Sequence, residues 1–242
     1  MIHENHRDRM RERILAEGVT NLQEHEVLEY LLYPYIPRKD TNPIAHELIN
    51  KFGSLSSVLD STPQMLVQVP NMTQKAAEFL VSLPGVFKKY NLSKYGPKPN
   101  LSTYSRVKEY CKTLLSDLNS EAVYMLAVDN KGSLIEKSEI GQGGISDCRI
   151  ATRKMVMMCH NLSAPNIYIT HNHPSGTALP SVKDMEFTKW AAASLEMMGV
   201  RLVDHIIVAR ENVYSFAQNG KLDDFRDKYY QFMSEEKISD RK

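Results

Sequence analysis

The residues best suited to chemistry form one short stretch, Thr170-His171-Asn172-His173-Pro174-Ser175-Gly176, followed by Pro180-Ser181-Val182-Lys183-Asp184. His171 and His173 close the apolar run Ile167-Tyr168-Ile169. In an extended segment, side chains at i and i+2 share a face, so both imidazoles can aim at one point. Asp184, eleven residues after His173, stands at the start of a helical pattern and can supply a third donor. Two imidazoles and a carboxylate suit zinc. Three protein ligands leave a fourth position open, the arrangement of a catalytic rather than a structural zinc.

Each of these residues also has a plainer reading. A single turn histidine usually bonds a carbonyl, but a His-x-His at a strand end with an Asp in reach favours a metal. Ser181-x-x-Asp184 after Pro180 is equally a helix-capping signature, Ser181 capping and Asp184 reaching back. The two roles are compatible, since a capping Ser181 is held rigidly and its hydroxyl could instead face the reacting oxygen. Hydrolysis also needs a carboxylate to move a proton. Glu121, at the mouth of a predicted strand, is a candidate whose ordinary reading is a solvated junction residue.

The elements around these residues fall into two units. Residues 1–92 read as a small helical bundle. In it Asn21 and Glu24 have capping-box spacing before Val27-Leu28-Tyr30-Leu31-Leu32, and Pro34 stops that helix. Thr41-Asn42-Pro43 opens the next helix with Pro at its first position, and Gly53 ends it. Thr62-Pro63 and Thr73 open two more. Residues 93–101 form a linker rich in proline and poor in apolar groups.

Residues 102–220 alternate helices and strands. A helix runs from Ser102, a strand covers Ala122–Val128, a turn Asp129–Gly132, and a return strand begins at Ser133. A helix at 150–161 carries Ala151, Met155, Met158 and Leu162 inward. After the His-x-His strand comes a helix at 181–198 with Phe187, Trp190, Ala191, Leu195 and Met198 on one face. Strands at 200–208 and 213–216 follow, then a charged tail, 221–242, that reads as an exposed or frayed helix.

Composition narrows the class further. Thirty Lys+Arg nearly balance 29 Asp+Glu, and 42% of residues are hydrophobic. This balance gives no global attraction to nucleic acid or to an anionic membrane. The first residues are polar, and no apolar stretch approaches a membrane span. Cys111, Cys148 and Cys159 are widely spaced and read as reduced thiols in a cytoplasmic protein. The segment His6-Arg7-Asp8-Arg9-Met10-Arg11-Glu12-Arg13 is basic, but Asp8 and Glu12 dilute it into an ordinary solvated face.

The motif His171-Asn-His173-Pro-Ser-Gly…Pro-Ser181-x-x-Asp184 resembles the metal-binding signature of the JAMM (MPN-plus/JAB) metalloproteases, and more closely the RadC branch. Two further segments carry the same resemblance. They are Glu121-Ala-Val-Tyr-Met-Leu126-Ala-Val-Asp129 and Asp204-His205-Ile206-Ile207-Val208, in the family's order over about 102–220. The resemblance implies an α/β (α+β) fold: a three-layer, cytidine-deaminase-like domain around a curved, mostly antiparallel sheet, preceded by a helix-hairpin-helix-like bundle. It assigns zinc to His171, His173 and Asp184. It makes Glu121 the general acid/base acting on the zinc water, and Ser181 a donor to the developing oxyanion. The implied activity is hydrolysis of an amide or isopeptide bond in a protein or peptide.

Asp204 and His205 belong to the family pattern and read as structural. The bundle departs from the family, whose hairpin usually carries Gly-x-Gly and so admits a phosphate to the backbone. Here Val69-Pro70-Asn71-Met72-Thr73 removes one N–H donor at Pro70, which counts against DNA binding. The alternative function is a DNA-associated, repair-type accessory protein with a vestigial or structural metal. Substrate identity and oligomeric state are not encoded in any motif.

Overall fold

The unbroken apolar run Ala122–Val128 demands a sheet with both faces covered. Val123, Met125 and Ala127 must go to one side, Leu126 and Val128 to the other. A computed structural model describes residues 2–116, 118–143 and 148–227. It divides the chain into two compact units, 1–89 and 90–242.

The first unit is helical: α1 (Ile2–Glu17), a 3-10 turn (Val19–Asn21), α2 (Glu24–Leu32), α3 (Asn42–Phe52), α4 (Leu55–Leu59), α5 (Pro63–Leu66) and α6 (Gln74–Ser93), which runs past the unit's edge. Leu28, Leu32, Ala45, Leu48, Leu66, Ala76 and Leu80 form its buried core. Buried Glu29 is satisfied by the Tyr33 hydroxyl and the Asn42 amide, both at 2.9 Å.

Two expectations are corrected in this unit. The capping box belongs to Gln23 and Glu26, not Asn21 and Glu24, because Val19–Asn21 winds into the 3-10 turn and the chain turns extended only at Leu22 and Gln23. The arginines of α1 are not a uniformly solvated face. Arg7 donates to the carbonyls of Ile36, Pro37 and Lys39, and Arg13 pairs with Glu26 at 2.7 Å. Asn71 in the α5–α6 hairpin has φ 67°, a left-handed conformation that favours glycine.

The second unit holds α7 (Tyr104–Leu115), β1 (Ala122–Val128), β2 (Leu134–Gln142), α8 (Cys148–Leu162), β3 (Asn166–Asn172), α9 (Val182–Met197), β4 (Arg201–Ala209) and β5 (Asn212–Ser215). The sheet order is β2-β1-β3-β4-β5. All pairs are antiparallel except β3–β4, which α9 joins as a crossover. Val123, Met125, Ile167, Ile169 and Ile207 pack with Met155 of α8 and Phe187, Ala191 and Leu195 of α9. Leu126, Val128, Tyr168 and Ile206 pack on the other face with Val107, Tyr110 and Leu114 of α7. This gives the three layers and the mixed α+β class expected.

The stretch read as a linker is partly packed. Pro99 and Leu101 are buried, and the Leu101 and Leu134 amides donate to the Gly132 and Pro99 carbonyls at 2.6 and 2.8 Å. Trp190 does not face the core. It is 54% exposed, because the buried stripe of α9 runs through Asp184, Phe187, Thr188, Ala191, Ala192 and Leu195 and Trp190 sits on its flank. Met198, also assigned to that face, lies just past the helix and is 37% exposed. Of the tail, 221–227 is helical, and 228–242 lies outside the described residues, as does the side chain of Cys148. Cys111 and Cys159 are buried and free. Among the described residues no helix is long and apolar enough to cross a membrane.

Candidate metal centre

β3 and α9 place the candidate donors. Because β3 alternates, His171 falls on the α8/α9 face after Ile167 and Ile169 and is fully buried. His173 lies one residue past the strand end, fixed by its own amide donating to the Val208 carbonyl at 2.8 Å. The chain then turns at Gly176, whose φ is +87°, a conformation that costs a side-chain-bearing residue energy. It returns to start α9 next to the histidines. There Ser181 is the N-cap. Its hydroxyl accepts from the Asp184 amide at 3.2 Å, and the Ser181 amide donates to Asp184 Oδ2 at 2.7 Å. Both readings of Ser181-x-x-Asp184 therefore describe one arrangement: the capping box holds Asp184 against the histidines.

Donor atoms of Glu121, His171, His173 and Asp184 all lie within 4.8 Å of one another. His171 Nε2 is 2.9 Å from His173 Nε2 and 3.2 Å from Asp184 Oδ1, and His173 Nε2 is 3.4 Å from Asp184 Oδ2. Ligands bound tetrahedrally to zinc at its usual bond lengths stand about 3.4 Å apart. The two spacings to Asp184 match that edge within about 0.2 Å, and the two imidazole nitrogens stand about 0.5 Å closer than it. Glu121 Oε1 stands further off, 3.9 Å from His171 Nε2. Its side chain is 29% exposed, the most of the four.

The proton inventory points the same way. His173 Nδ1 meets the Thr177 carbonyl at 2.8 Å. A carbonyl only accepts, so Nδ1 carries the proton and a neutral ring leaves Nε2 bare. The cluster thus gathers nitrogen and carboxylate lone pairs at one point, with Ser181 donating to Asp184 Oδ2. Such a point needs a cation or a proton, and the donor set fits a zinc-like divalent ion. Burial would raise the Asp184 pKa, but its contact with the His171 ring, together with the Ser181 amide and hydroxyl that both donate to Oδ2, holds it below the ordinary carboxylate range. Asp184 is therefore a carboxylate at neutral pH.

Glu121 is positioned through its backbone. The Gly143 amide donates to the Glu121 carbonyl at 2.7 Å. The next amide, Ala122, donates to Asn172 Oδ1 at 2.8 Å, while Asn172 Nδ2 donates to the Leu118 and Ser120 carbonyls at 3.1 and 3.0 Å. Asn172 alternates away from the histidines and clamps the loop that delivers Glu121. Sequence reasoning missed this role, although an Asn at 5% exposure between two candidate ligands must have partners.

The Ser181 hydroxyl donates to Asp184 Oδ2 at 2.6 Å. Its single proton is thus committed to Asp184, and use toward an oxyanion requires the hydroxyl to turn. His205 is bonded within the core, as expected, but its partner is the candidate ligand His171: Nε2 lies 2.9 Å from His171 Nδ1. Burial pushes the His205 pKa well below its ordinary value. Asp204 accepts from the Ser215 hydroxyl and the Ala217 amide, and ties β4 to β5.

The sheet, its crossover helix and the donor cluster at their junction define a JAB/MPN-type domain. Residues 101–221 match the family model described as a RadC-like JAB domain. The chain belongs to that RadC-like family, as the motifs anticipated. A UPF0758 protein of Fusobacterium nucleatum is 32% identical over 224 residues, which span 90% of this chain and 97% of the relative. A UPF0758 protein of Rhodobacter capsulatus is 29% identical over 213 residues, spanning 88% of this chain and all of the relative. A third, from Ruegeria pomeroyi, is 28% identical over 218 residues, or 90% and 97%.

Proposed function

We propose that this chain is a zinc-dependent hydrolase that cleaves an amide or isopeptide bond in a protein or peptide. The observation that carries the reading is the convergence of His171 Nε2, His173 Nε2 and an Asp184 carboxylate within 2.9–3.4 Å of one another, with Glu121 set further off at 3.9 Å and more exposed. In this reading His171, His173 and Asp184 hold the ion, which supplies Lewis-acid activation of water when bound.

The remaining steps belong to side chains. Glu121 takes a proton from the attacking water and returns it to the leaving amine, as a half-exposed carboxylate beside the cluster can. Ser181, rigid as the cap of α9, turns its hydroxyl from Asp184 toward the developing oxyanion. Asn172 keeps the Glu121 loop in register. A cytoplasmic location is part of the proposal, supported by the free, buried Cys111 and Cys159.

The test compares wild type with Glu121→Gln on fluorogenic peptides and lysine-isopeptide substrates. The variant should keep zinc within about twofold and lose roughly 10²–10⁴ of the rate, the usual worth of a positioned acid/base. Undiminished hydrolysis would remove Glu121 from the mechanism.

A further inference from the structure

A ligand histidine must present a bare nitrogen, and a neutral imidazole can carry its proton on either ring atom. For His173 the Thr177 carbonyl decides. For His171 the neighbour is another histidine, which by itself settles nothing. The deciding group lies one step further out. The Thr188 hydroxyl donates to the Asp184 carbonyl at 2.5 Å, and its one proton is spent there. His205 Nδ1, 2.6 Å from the same oxygen, must then be the donor in that contact. A neutral His205 is left with a bare Nε2. His171 Nδ1, 2.9 Å from it, must donate. His171 Nε2 consequently faces Asp184 and His173 without the tautomeric proton.

We infer that Thr188 and His205 are positioning residues, a one-way hydrogen-bond relay that fixes His171 as the Nδ1–H tautomer with Nε2 turned to the donor cluster. The inference rests on the metal-binding reading for its purpose but not for its geometry. Packing alone does not explain the relay. His205 stacks on Phe216 with ring centroids 4.9 Å apart and meets Phe187 edge-on at 6.0 Å. A phenylalanine would satisfy those contacts without burying polar atoms, which cost free energy unless paired. Thr188 and His205 are both fully buried. The relay also begins on the Asp184 backbone and ends on the His171 ring. It therefore joins the two elements whose donors must meet, and a shift of α9 along the sheet would break the tautomer signal along with the donor spacing.

The test is ring-nitrogen NMR of the full chain after metal removal by chelation, at a pH where the histidines are neutral, followed by zinc competition titrations. Wild type should show protonated Nδ1 and bare Nε2 for both His171 and His205. A protonated His205 Nε2 overturns the relay whatever the metal results. Thr188→Val, nearly isosteric, should move the His205 proton toward Nε2 and weaken zinc about ten- to a hundredfold, the usual range for a lost partner of a ligand. Thr188→Ser, which restores the hydroxyl, should recover both signals. Zinc affinity unchanged in Thr188→Val, with the tautomers also unchanged, overturns the inference and leaves the metal reading standing. A wild type with the expected tautomers but no zinc affinity supports the relay and overturns the metal reading.

Discussion

Asn172 holds the Glu121 loop with one accepted and two donated hydrogen bonds, from Ala122 and to Leu118 and Ser120. Replacing it by alanine removes all three. At about 1 kcal/mol each the loss is about 3 kcal/mol, reduced toward about 2 kcal/mol because water can reach the exposed loop and rehydrate its carbonyls. Asn172→Asp should cost at least as much at neutral pH. It keeps the acceptor for Ala122 but sets a carboxylate oxygen against two carbonyl oxygens at 3.0–3.1 Å. The assay is urea unfolding followed by fluorescence of Trp190, the chain's single tryptophan, which lies on α9 and so reports the second unit. A shift below about 0.5 kcal/mol in both variants, within the ordinary range for an inert surface change, would refute the clamp.

Two further outcomes follow from burial and backbone geometry. Folded His205 stays neutral while its unfolded counterpart takes a proton below about pH 6.5. The unfolded chain then binds more protons, so the metal-free protein loses stability as pH falls, by up to about 1.4 kcal/mol per pH unit from this residue. Chelated wild type should show a steeper decline between about pH 6.5 and 5 than His205→Gln in the same unfolding assay; equal slopes would contradict the buried neutral imidazole. The depressed Asp184 adds its own loss only below about pH 4, the unfolded carboxylate range. Gly132→Ala should destabilise the second unit by more than about 2 kcal/mol. Its φ is +77°, and a Cβ there would stand 2.6 Å from the Ser102 backbone. A thermal melt indistinguishable from wild type would show that the turn can shift.

What the sequence discloses and what it withholds divide along the range of the interactions. The direction of His171 follows from alternation in β3, and the seat of Asp184 from the Ser181 cap, both local patterns. Glu121 is a candidate from its place at the strand mouth but outweighs its solvated-junction reading only by resemblance, because its approach depends on Asn172 and on the Gly143 amide, far apart in the chain. The His205–His171 contact spans 34 residues and Thr188–His205 spans 17. No periodicity marks a hydroxyl on a helix as the partner of a ring on a strand. The misplaced cap at Asn21 has the opposite origin. Asn21/Glu24 and Gln23/Glu26 offer the same spacing two residues apart, and only the turn after Gly18, at φ +81°, selects the second. Trp190 fits the apolar face by its i+3 spacing from Phe187, but its angular position on α9 puts it at the rim of the buried stripe.

The central claim is that His171, His173 and Asp184 hold one divalent ion. Metal content of the purified full chain, measured without added metal beside His173→Ala and Asp184→Asn, tests it most directly. The account predicts about one zinc per chain in wild type, as for an open three-ligand site, and loss of that zinc in both variants. Wild type that takes up no metal even when zinc is supplied, or variants that retain it at wild-type stoichiometry, would contradict the assignment.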